Sequence, residues 1–318
     1  MKKWMPLRGD FVEDNESVVF QGIPQQSPDN RTPNSFLAGQ VAREGIILFE
    51  DVLANGVIKA TVEFEEFDKG DIAQIVFNYQ SDLAYMSAGV SNAQAKYVFN
   101  LTNGQMNTIC AAGFVENLPT TKFDMNLQII GSFLGLYING IRVLTSAIPL
   151  LVSQTQVGIW VKSRKNVVIK DFTAICKQPE VFIVSQFGGD YDILYDEVIK
   201  PVCIKLHYDP IRGDEVASCS MILSDIITSI QNSAVIIADI TPDNPNVFYE
   251  IGYAHALKKP TILLCDKALR DRLPFDVSGF RTIFYDNSIG GKRRVEEKLE
   301  VYLQNINNSL GVAGGSIV

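Results

Sequence analysis

The chain has 318 residues, 47% of them hydrophobic, and carries a formal net charge of -8 at pH 7. This length and apolar content suffice for two domains with separate cores, and the acidic balance argues against a general nucleic-acid binder. The chain has only two histidines, and its five cysteines lack metal-ligand spacing, so a histidine-based triad and a zinc site are nearly excluded.

The same composition bears on the compartment. Five scattered cysteines, an odd number, fit reduced thiols. The first residues lack the apolar segment of a secretory signal, and no apolar run reaches the length of a membrane span. We therefore expect a cytoplasmic protein without a membrane contact.

The amino-terminal half, residues 1–175, is expected to be an all-β sandwich. Apolar and polar residues alternate from residue 17 to residue 173, with frequent Gly and Asn and little helical periodicity. The strands predicted from this alternation are 57–64, 73–79, 96–101, 157–161 and 167–172. Asn139 and Gly140 predict a two-residue turn inside a hairpin over 136–143.

This order of strands resembles the concanavalin-like jelly rolls, in which a hairpin with an Asn-Gly turn precedes Gly-containing strands near the end. The resemblance implies a recognition domain with a glycan ligand. The alternatives are a protein ligand and an assembly domain that associates with itself into a homo-oligomer. Glu63, Glu65, Glu66 and Asp68 form no compact calcium-ligand cluster and are as readily a solvated strand edge.

Residues 174–179 form a short hinge, and residues 179–318 predict an α/β domain with a parallel sheet. Its first strand is predicted over 181–187 and its first helix over 191–205. A second short strand is expected to end near Arg212.

The most informative segment combines a buried strand with a helix that carries one acid. Residues 234–239 are an apolar run closed by Asp239, as in a strand covered on both faces. Asn244 followed by Pro245 is a helix-start signal, and the helix is predicted to end near Leu257. On that helix Glu250 points in the same direction as Asn246, since residues four apart share a face.

Glu250 has two readings. A glutamate near a helix amino terminus is most often a solvated carboxylate. Phe248, Tyr249, Ile251 and Tyr253, however, surround Glu250 with bulk that would desolvate it, which favours a functional acid.

The sequence NPNVFYEIGYA at 244–254, after a strand ending in Asp239, resembles the nucleoside 2-deoxyribosyltransferase-like group and the TIR-like domains of bacterial defence proteins. Further motifs of that pattern occur in the same order between residues 179 and 310. They are the first predicted strand, the first predicted helix, and the short sequences at 212–215, 273–276 and 281–286. Where the TIR-like pattern often has Met-Pro-Phe after its first strand, this chain has Ser185, Gln186 and Phe187.

The resemblance implies a Rossmann- or flavodoxin-like fold and an N-glycosidase in which Glu250 is catalytic. In the transferases the glutamate attacks C1′ of the sugar, and in the TIR enzymes it assists the loss of nicotinamide from NAD. A carboxylate suits both roles because breaking the bond builds positive charge on the ribose. A role in antiviral defence, controlled by self-assembly, is likewise implied by the resemblance alone.

The remaining candidate residues follow from their places at strand ends. Asp239 is expected to orient a ribose hydroxyl or the base, with a loop-capping acid as the alternative. Amides after the first strand would hold phosphate at a helix start, although a plain tight turn explains Gly188-Gly189 equally. The expected substrate-binding residues are Ser185, Gln186, Phe187, Gly188, Arg212, Asp214, Asn244, Asn246 and Tyr249.

The sequence leaves three functions open. The first is a nucleotide N-glycosidase with NAD as the favoured substrate and with no metal or cofactor. The second is a nucleoside 2-deoxyribosyltransferase or deoxynucleotide hydrolase, which would use the same Glu250. The third is a non-catalytic module that senses a nucleotide and binds a glycan or a protein.

Overall fold

The computed structural model describes residues 3–23, 43–93, 95–114, 120–148, 152–214, 222–270, 272–273, 277 and 279–309. The chain divides into two compact units. The first unit comprises Met1–Ile129, Leu134–Ile148 and Val152–Lys177, and the second comprises Ile130–Phe133, Pro149–Leu151 and Gln178–Val318.

Fourteen strands of the described residues build the first unit. They are β1 (Trp4–Arg8), β2 (Phe11–Asp14), β3 (Ser17–Phe20), β4 (Arg43–Leu53), β5 (Gly56–Phe64), β6 (Ile72–Ser81), β7 (Ala84–Ser91), β8 (Ala95–Asn103), β9 (Gln105–Phe114), β10 (Lys122–Ile130), β11 (Phe133–Ile138), β12 (Ile141–Ala147), β13 (Thr155–Ser163) and β14 (Val167–Cys176).

These strands form two seven-stranded sheets with antiparallel pairing. One sheet has the order β1-β4-β13-β6-β7-β8-β9 and the other β12-β11-β10-β5-β14-β3-β2. Alternate residues of both sheets fill one shared core, which contains Ile47, Ile75 and Ile159 from the first sheet and Val62 and Leu127 from the second. The prediction of a jelly-roll-like β-sandwich is therefore confirmed at the level of architecture.

The predicted Asn-Gly hairpin is also confirmed. β11 and β12 are joined by Asn139 and Gly140, whose φ angles are 50° and 79°. Positive φ at both central residues is what a primed two-residue turn requires.

The described residues of the second unit form five strands and five α-helices. The strands are β15 (Glu180–Val184), β16 (Asp209–Arg212), β17 (Val235–Asp239), β18 (Thr261–Asp266) and β19 (Thr282–Tyr285), and the helices are α1 (Asp190–Leu194), α2 (Lys200–Lys205), α3 (Ile222–Asn232), α4 (Pro245–Ala256) and α5 (Ile289–Ser309). All four strand pairs are parallel, in the order β16-β15-β17-β18-β19.

Helices cover both faces of this parallel sheet. Val235 and Ile237 of β17 pack on the face covered by α1, α2 and α5, whereas Ile236 and Ala238 pack on the face covered by α3 and α4. Strand order reverses between β15 and β17, because the chain moves to β16 on one side and to β17 on the other. Open α/β sheets bind ligands at the carboxyl ends of strands at such a point.

Two predicted elements differ in detail. The first strand ends at Val184, so Ser185 to Phe187 lie in the loop that follows it. The predicted single helix is interrupted by a π-helical turn over Tyr195–Ile199, just before Pro201, which has no backbone N–H to donate. In the predicted motifs, Glu215 and residues 274–276 lie outside the described residues.

Candidate functional site

Glu250 is delivered by a short, well-defined path. β17 is fully buried, and the chain turns over residues 241–244 before α4 begins at Pro245. Asn244 caps the helix, since its side-chain oxygen accepts from the amide of Asn246 at 3.0 Å. The predicted strand, cap and helix are confirmed, and the helix places Glu250 in its second turn.

Glu250 lines a cavity of about 580 Å³ at the carboxyl ends of β15 and β16. The volume is within the range of roughly 300–1,000 Å³ that is usual for small-molecule pockets. The cavity brings together seven of the predicted site residues, namely Ser185, Gln186, Phe187, Asn244, Asn246, Tyr249 and Glu250.

Two aromatic side chains border this cavity and face solvent in part. Phe187 is 53% exposed and Tyr249 is 54% exposed. Such rings offer flat surfaces on which a planar heteroaromatic group can stack.

The carboxyl group of Glu250 is largely shielded from water. Burial raises its pKa from 4.5 to about 7. Within the described part of the chain, its side chain makes no hydrogen bond and no ion pair, so desolvation is not offset by a partner. The buried hydroxyl of Ser185, on the same cavity, likewise has no partner among the described residues.

The structure separates Asp239 from Glu250. Asp239 is 3% exposed, accepts from the Tyr285 hydroxyl at 2.6 Å and from the Thr241 amide at 2.9 Å, and does not line the Glu250 cavity. Tyr285 packs on the α1/α2/α5 face of the sheet, whereas α4 covers the other face. The loop-capping alternative therefore describes the observed contacts of Asp239.

Gly188 is also separated from Glu250. Gly188 and Gly189 border a second cavity of about 240 Å³, together with Asp190, Asp266 and Lys292. The amide of Gly188 donates to Asp192 Oδ1 at 3.1 Å, and α1 has only five residues. The expected phosphate cradle is thus occupied by a carboxylate of the protein itself.

Arg212 and Asp214 are paired with each other rather than directed at the Glu250 cavity. The Nε and Nη2 atoms of Arg212 donate to the two oxygens of Asp214 at 2.7 and 2.6 Å. Neither residue borders the cavity, but Gly213 between them does.

The sequence reasoning missed several apolar residues that complete the cavity wall. They are Phe182, Ile183, Gly213, Leu223, Ile226 and Val247. Leu223 and Ile226 are three residues apart on α3, so the helical period of that segment was the available signal. Tyr285, the partner of Asp239, had no local signal because it is 46 residues away in sequence.

The β-sandwich has a polar cluster of its own. Ser87 Oγ and Asn100 Nδ2 both donate to Gln74 Oε1, at 2.7 and 3.0 Å, and Thr108 Oγ1 donates to Asn100 at 2.9 Å. Gln74, Ser87 and Asn100 are all buried, so their hydrogen bonds are made within the protein.

Among the described residues, no group of three or more His, Cys, Asp and Glu side chains is placed to hold a metal ion. None of the described helices is long and apolar enough to cross a membrane.

Comparison with known proteins gives structural likenesses only. No protein-family model matches the sequence, and no curated protein is similar to it. The chain is similar in structure to a carbohydrate-binding module, CBM66, from Bacillus subtilis, with 15% identity, a TM-score of 0.42, and coverage of 55% of this chain and 96% of that chain. It is also similar to a Bacillus subtilis protein of unknown function with a galectin-like fold, with 12% identity, a TM-score of 0.40, and coverage of 55% and 90%.

A third similar structure is the CMP N-glycosidase BcmB of Clostridium botulinum. The identity is 18%, the TM-score is 0.32, and the match covers 39% of this chain and 98% of that chain. At these identities and scores, none of the three likenesses decides what this chain does.

Proposed function

We propose that the second unit is an N-glycosidase that cleaves the bond between ribose and base in a nucleotide, with NAD as the favoured substrate. One observation carries the proposal. The desolvated carboxyl of Glu250, which has no partner among the described residues, borders a cavity of about 580 Å³ at the carboxyl ends of β15 and β16.

The chemistry follows from that setting. When the C1′–N bond breaks, its electron pair goes to the base nitrogen and positive charge develops on C1′ and the ring oxygen. A carboxylate shielded from water in a preformed cavity stabilises this charge more strongly than a solvated one, because the local dielectric is lower and little reorganisation is needed. Water then adds to C1′ and gives its proton to Glu250, or the carboxylate first forms a covalent ester that water opens.

The number of acids in the cavity favours NAD. Among the described residues that line it, Glu250 is the only carboxylic acid. The nicotinamide of NAD is a cationic pyridinium that leaves as a neutral molecule without a proton. A neutral nucleoside base needs a second acid to protonate it as it leaves, and the described lining offers no such carboxyl group.

The aromatic border of the cavity fits the same substrate class. Phe187 and Tyr249 present partly exposed rings beside Glu250, and a planar base stacks on such rings. The polar side chains of Gln186, Asn244 and Asn246 border the same space, where hydrogen bonds to ribose hydroxyls would fix the sugar.

The test is product analysis with purified full-length protein at high concentration, so that any self-association is favoured. NAD, CMP and 2′-deoxynucleosides are supplied separately, the last with and without a second free base. Release of nicotinamide and ADP-ribose by the wild type, and its loss in Glu250→Gln, is the expected result. Base exchange without NAD loss would identify a transferase instead.

A matched control keeps folding and catalysis apart. Asp243→Asn changes an exposed carboxylate on the loop before α4 that pairs with Arg270 and does not border the cavity. This variant should retain turnover. Tight nucleotide binding that is identical in the wild type and Glu250→Gln, with no product from any substrate, would contradict the enzyme and favour a sensor.

A further inference from the structure

The guanidinium group of Arg212, at the end of β16, is held from two sides by carboxylates. Asp214 accepts from Nε and Nη2 in a bidentate pair, and Asp192 at the start of α1 accepts from Nη1 at 2.8 Å. Bidentate pairing fixes the plane of the guanidinium as well as its position.

The same guanidinium lies against two aromatic rings. Its central carbon is 5.5 Å from the ring centre of Phe187 and 4.6 Å from that of Tyr195. Both distances are within the range of about 6 Å over which a cation attracts a ring face. Arg212 as a whole is only 8% exposed, so these contacts enclose it.

Phe187 links this cluster to the Glu250 cavity. Its ring borders the cavity and is more than half exposed, so little of its position is fixed by burial. Gly213 lies beside the same ring, since a Cβ atom at this position would be 3.7 Å from Phe187 Cζ. Arg212 therefore supplies the ordered surface against which an exposed ring is placed.

Asp192 extends the restraint to the backbone of the same loop. Its Oδ1 atom accepts both from Arg212 Nη1 and from the amide of Gly188 at 3.1 Å. Gly188 and Gly189 have φ angles of 97° and 58°, so this part of the loop is in a conformation that depends on glycine. One carboxylate thus joins the loop backbone to the arginine that contacts Phe187.

We propose that Arg212 is a positioning residue, which holds Phe187 and the loop over residues 185–189 in the wall of the Glu250 cavity through its pairs with Asp192 and Asp214. The sequence analysis expected Arg212 to contact the substrate directly. Three N–H groups of Arg212 instead donate to protein carboxylates, so we assign it an indirect role. The expected effect of Arg212 on turnover rests on the proposed function, whereas its expected effect on the order of the loop does not.

Two variants test the role from different sides. Arg212→Lys keeps the charge but loses the planar fork, and Asp192→Ala removes the acceptor shared by Arg212 and Gly188 while leaving the Asp214 pair intact. Asp192 is 40% exposed, so its replacement is not expected to prevent folding. Lys205→Gln is the matched control, because it breaks an ion pair between Lys205 of α2 and Glu300 of α5 that includes neither Arg212 nor its two carboxylate partners.

The first measurement is hydrogen–deuterium exchange in peptides that cover residues 185–192. Both variants should exchange there about tenfold faster than the wild type, because a restrained amide exchanges only when its local structure opens. Lys205→Gln should match the wild type. Equal exchange in all four proteins would overturn the proposal, whether or not the protein turns over any nucleotide.

The second measurement is steady-state kinetics on whichever substrate the wild type cleaves. Both variants should raise KM about tenfold and change kcat by less than about threefold, since a loosened wall weakens binding of substrate and transition state alike. A loss in kcat with unchanged KM would overturn the positioning role. If the wild type cleaves none of the substrates, the proposed function fails and the exchange data alone decide the role of Arg212.

Discussion

The hydroxyl of Tyr285 donates to the buried carboxyl of Asp239 at 2.6 Å, on the face of the parallel sheet opposite to the helix that carries Glu250. The two acids that the sequence placed in one site are therefore separated by the sheet itself. Asp239 closes a buried hydrogen-bond set with Tyr285 and Thr241, whereas Glu250 borders an open cavity without a described partner.

This separation predicts different consequences for the two acids. Asp239→Ala leaves the Tyr285 hydroxyl and the Thr241 amide without their acceptor in a buried place, which should lower the free energy of unfolding by about 2–4 kcal/mol. Urea unfolding measures that loss. Tyr285→Phe is the matched control and should cost less, about 1 kcal/mol, because it removes one donor and leaves Asp239 bonded to the Thr241 amide. An Asp239→Ala protein with full stability and no turnover would instead place Asp239 at the reaction.

Glu250→Gln is expected to stabilise the protein in a pH-dependent way. Burial raises the pKa of Glu250 from 4.5 to about 7, so the folded state holds this proton more tightly than the unfolded chain. The stability that the proton contributes is complete below pH 4.5 and is lost as the pH rises through 7.

Glutamine keeps the neutral shape at every pH. After a discount for partial solvent screening, the variant should exceed the wild type at pH 8 by about 1–2 kcal/mol, and the difference should vanish near pH 4. Chemical unfolding at the two pH values checks this. A difference that is the same at both would show that Glu250 is not desolvated in the folded protein.

The pH dependence of turnover follows from the same group. The ionised carboxylate is the form that stabilises positive charge on ribose, so kcat/KM should rise with pH and level off above a midpoint of about 7. Initial rates of nicotinamide release between pH 5 and pH 9 measure the profile. A rate that falls as the pH rises through 7 would mean that the protonated carboxyl acts as an acid.

Asn244 should matter as the cap of α4. Its side chain accepts from the Asn246 amide at 3.0 Å, and Asn244→Ala removes that bond at a cost of about 1 kcal/mol. Asn244→Asp should restore the stability, because aspartate caps as well and favours the positive end of the helix. Thermal unfolding of the two variants, beside Asn246→Ala on the same turn, checks the comparison. Equal losses for Asn244→Ala and Asn246→Ala would argue against the cap.

The features that could be predicted from the sequence are those set by contacts between residues close together along the chain. The strand at Val235–Asp239, the cap at Asn244 and the helix at Pro245–Ala256 were predicted because each is set by residues within about four positions of one another. The Asn139-Gly140 turn was predicted for the same reason. The length of the first strand was overestimated because Ser185, Gln186 and Phe187, which follow Val184, line the Glu250 cavity instead of continuing the sheet.

By itself, the sequence determined the two structural classes, the β-sandwich and the parallel α/β sheet, and it singled out Glu250 on its helix. Only the tertiary structure decided which face of the sheet Asp239 and Glu250 each occupy. It also decided that Arg212 pairs with Asp192, twenty residues away, and that the Tyr285 hydroxyl donates to Asp239. Periodicity and caps are local and can be read along the chain. Contacts across a sheet depend on strand order and crossover side, which follow from the packing of the whole domain.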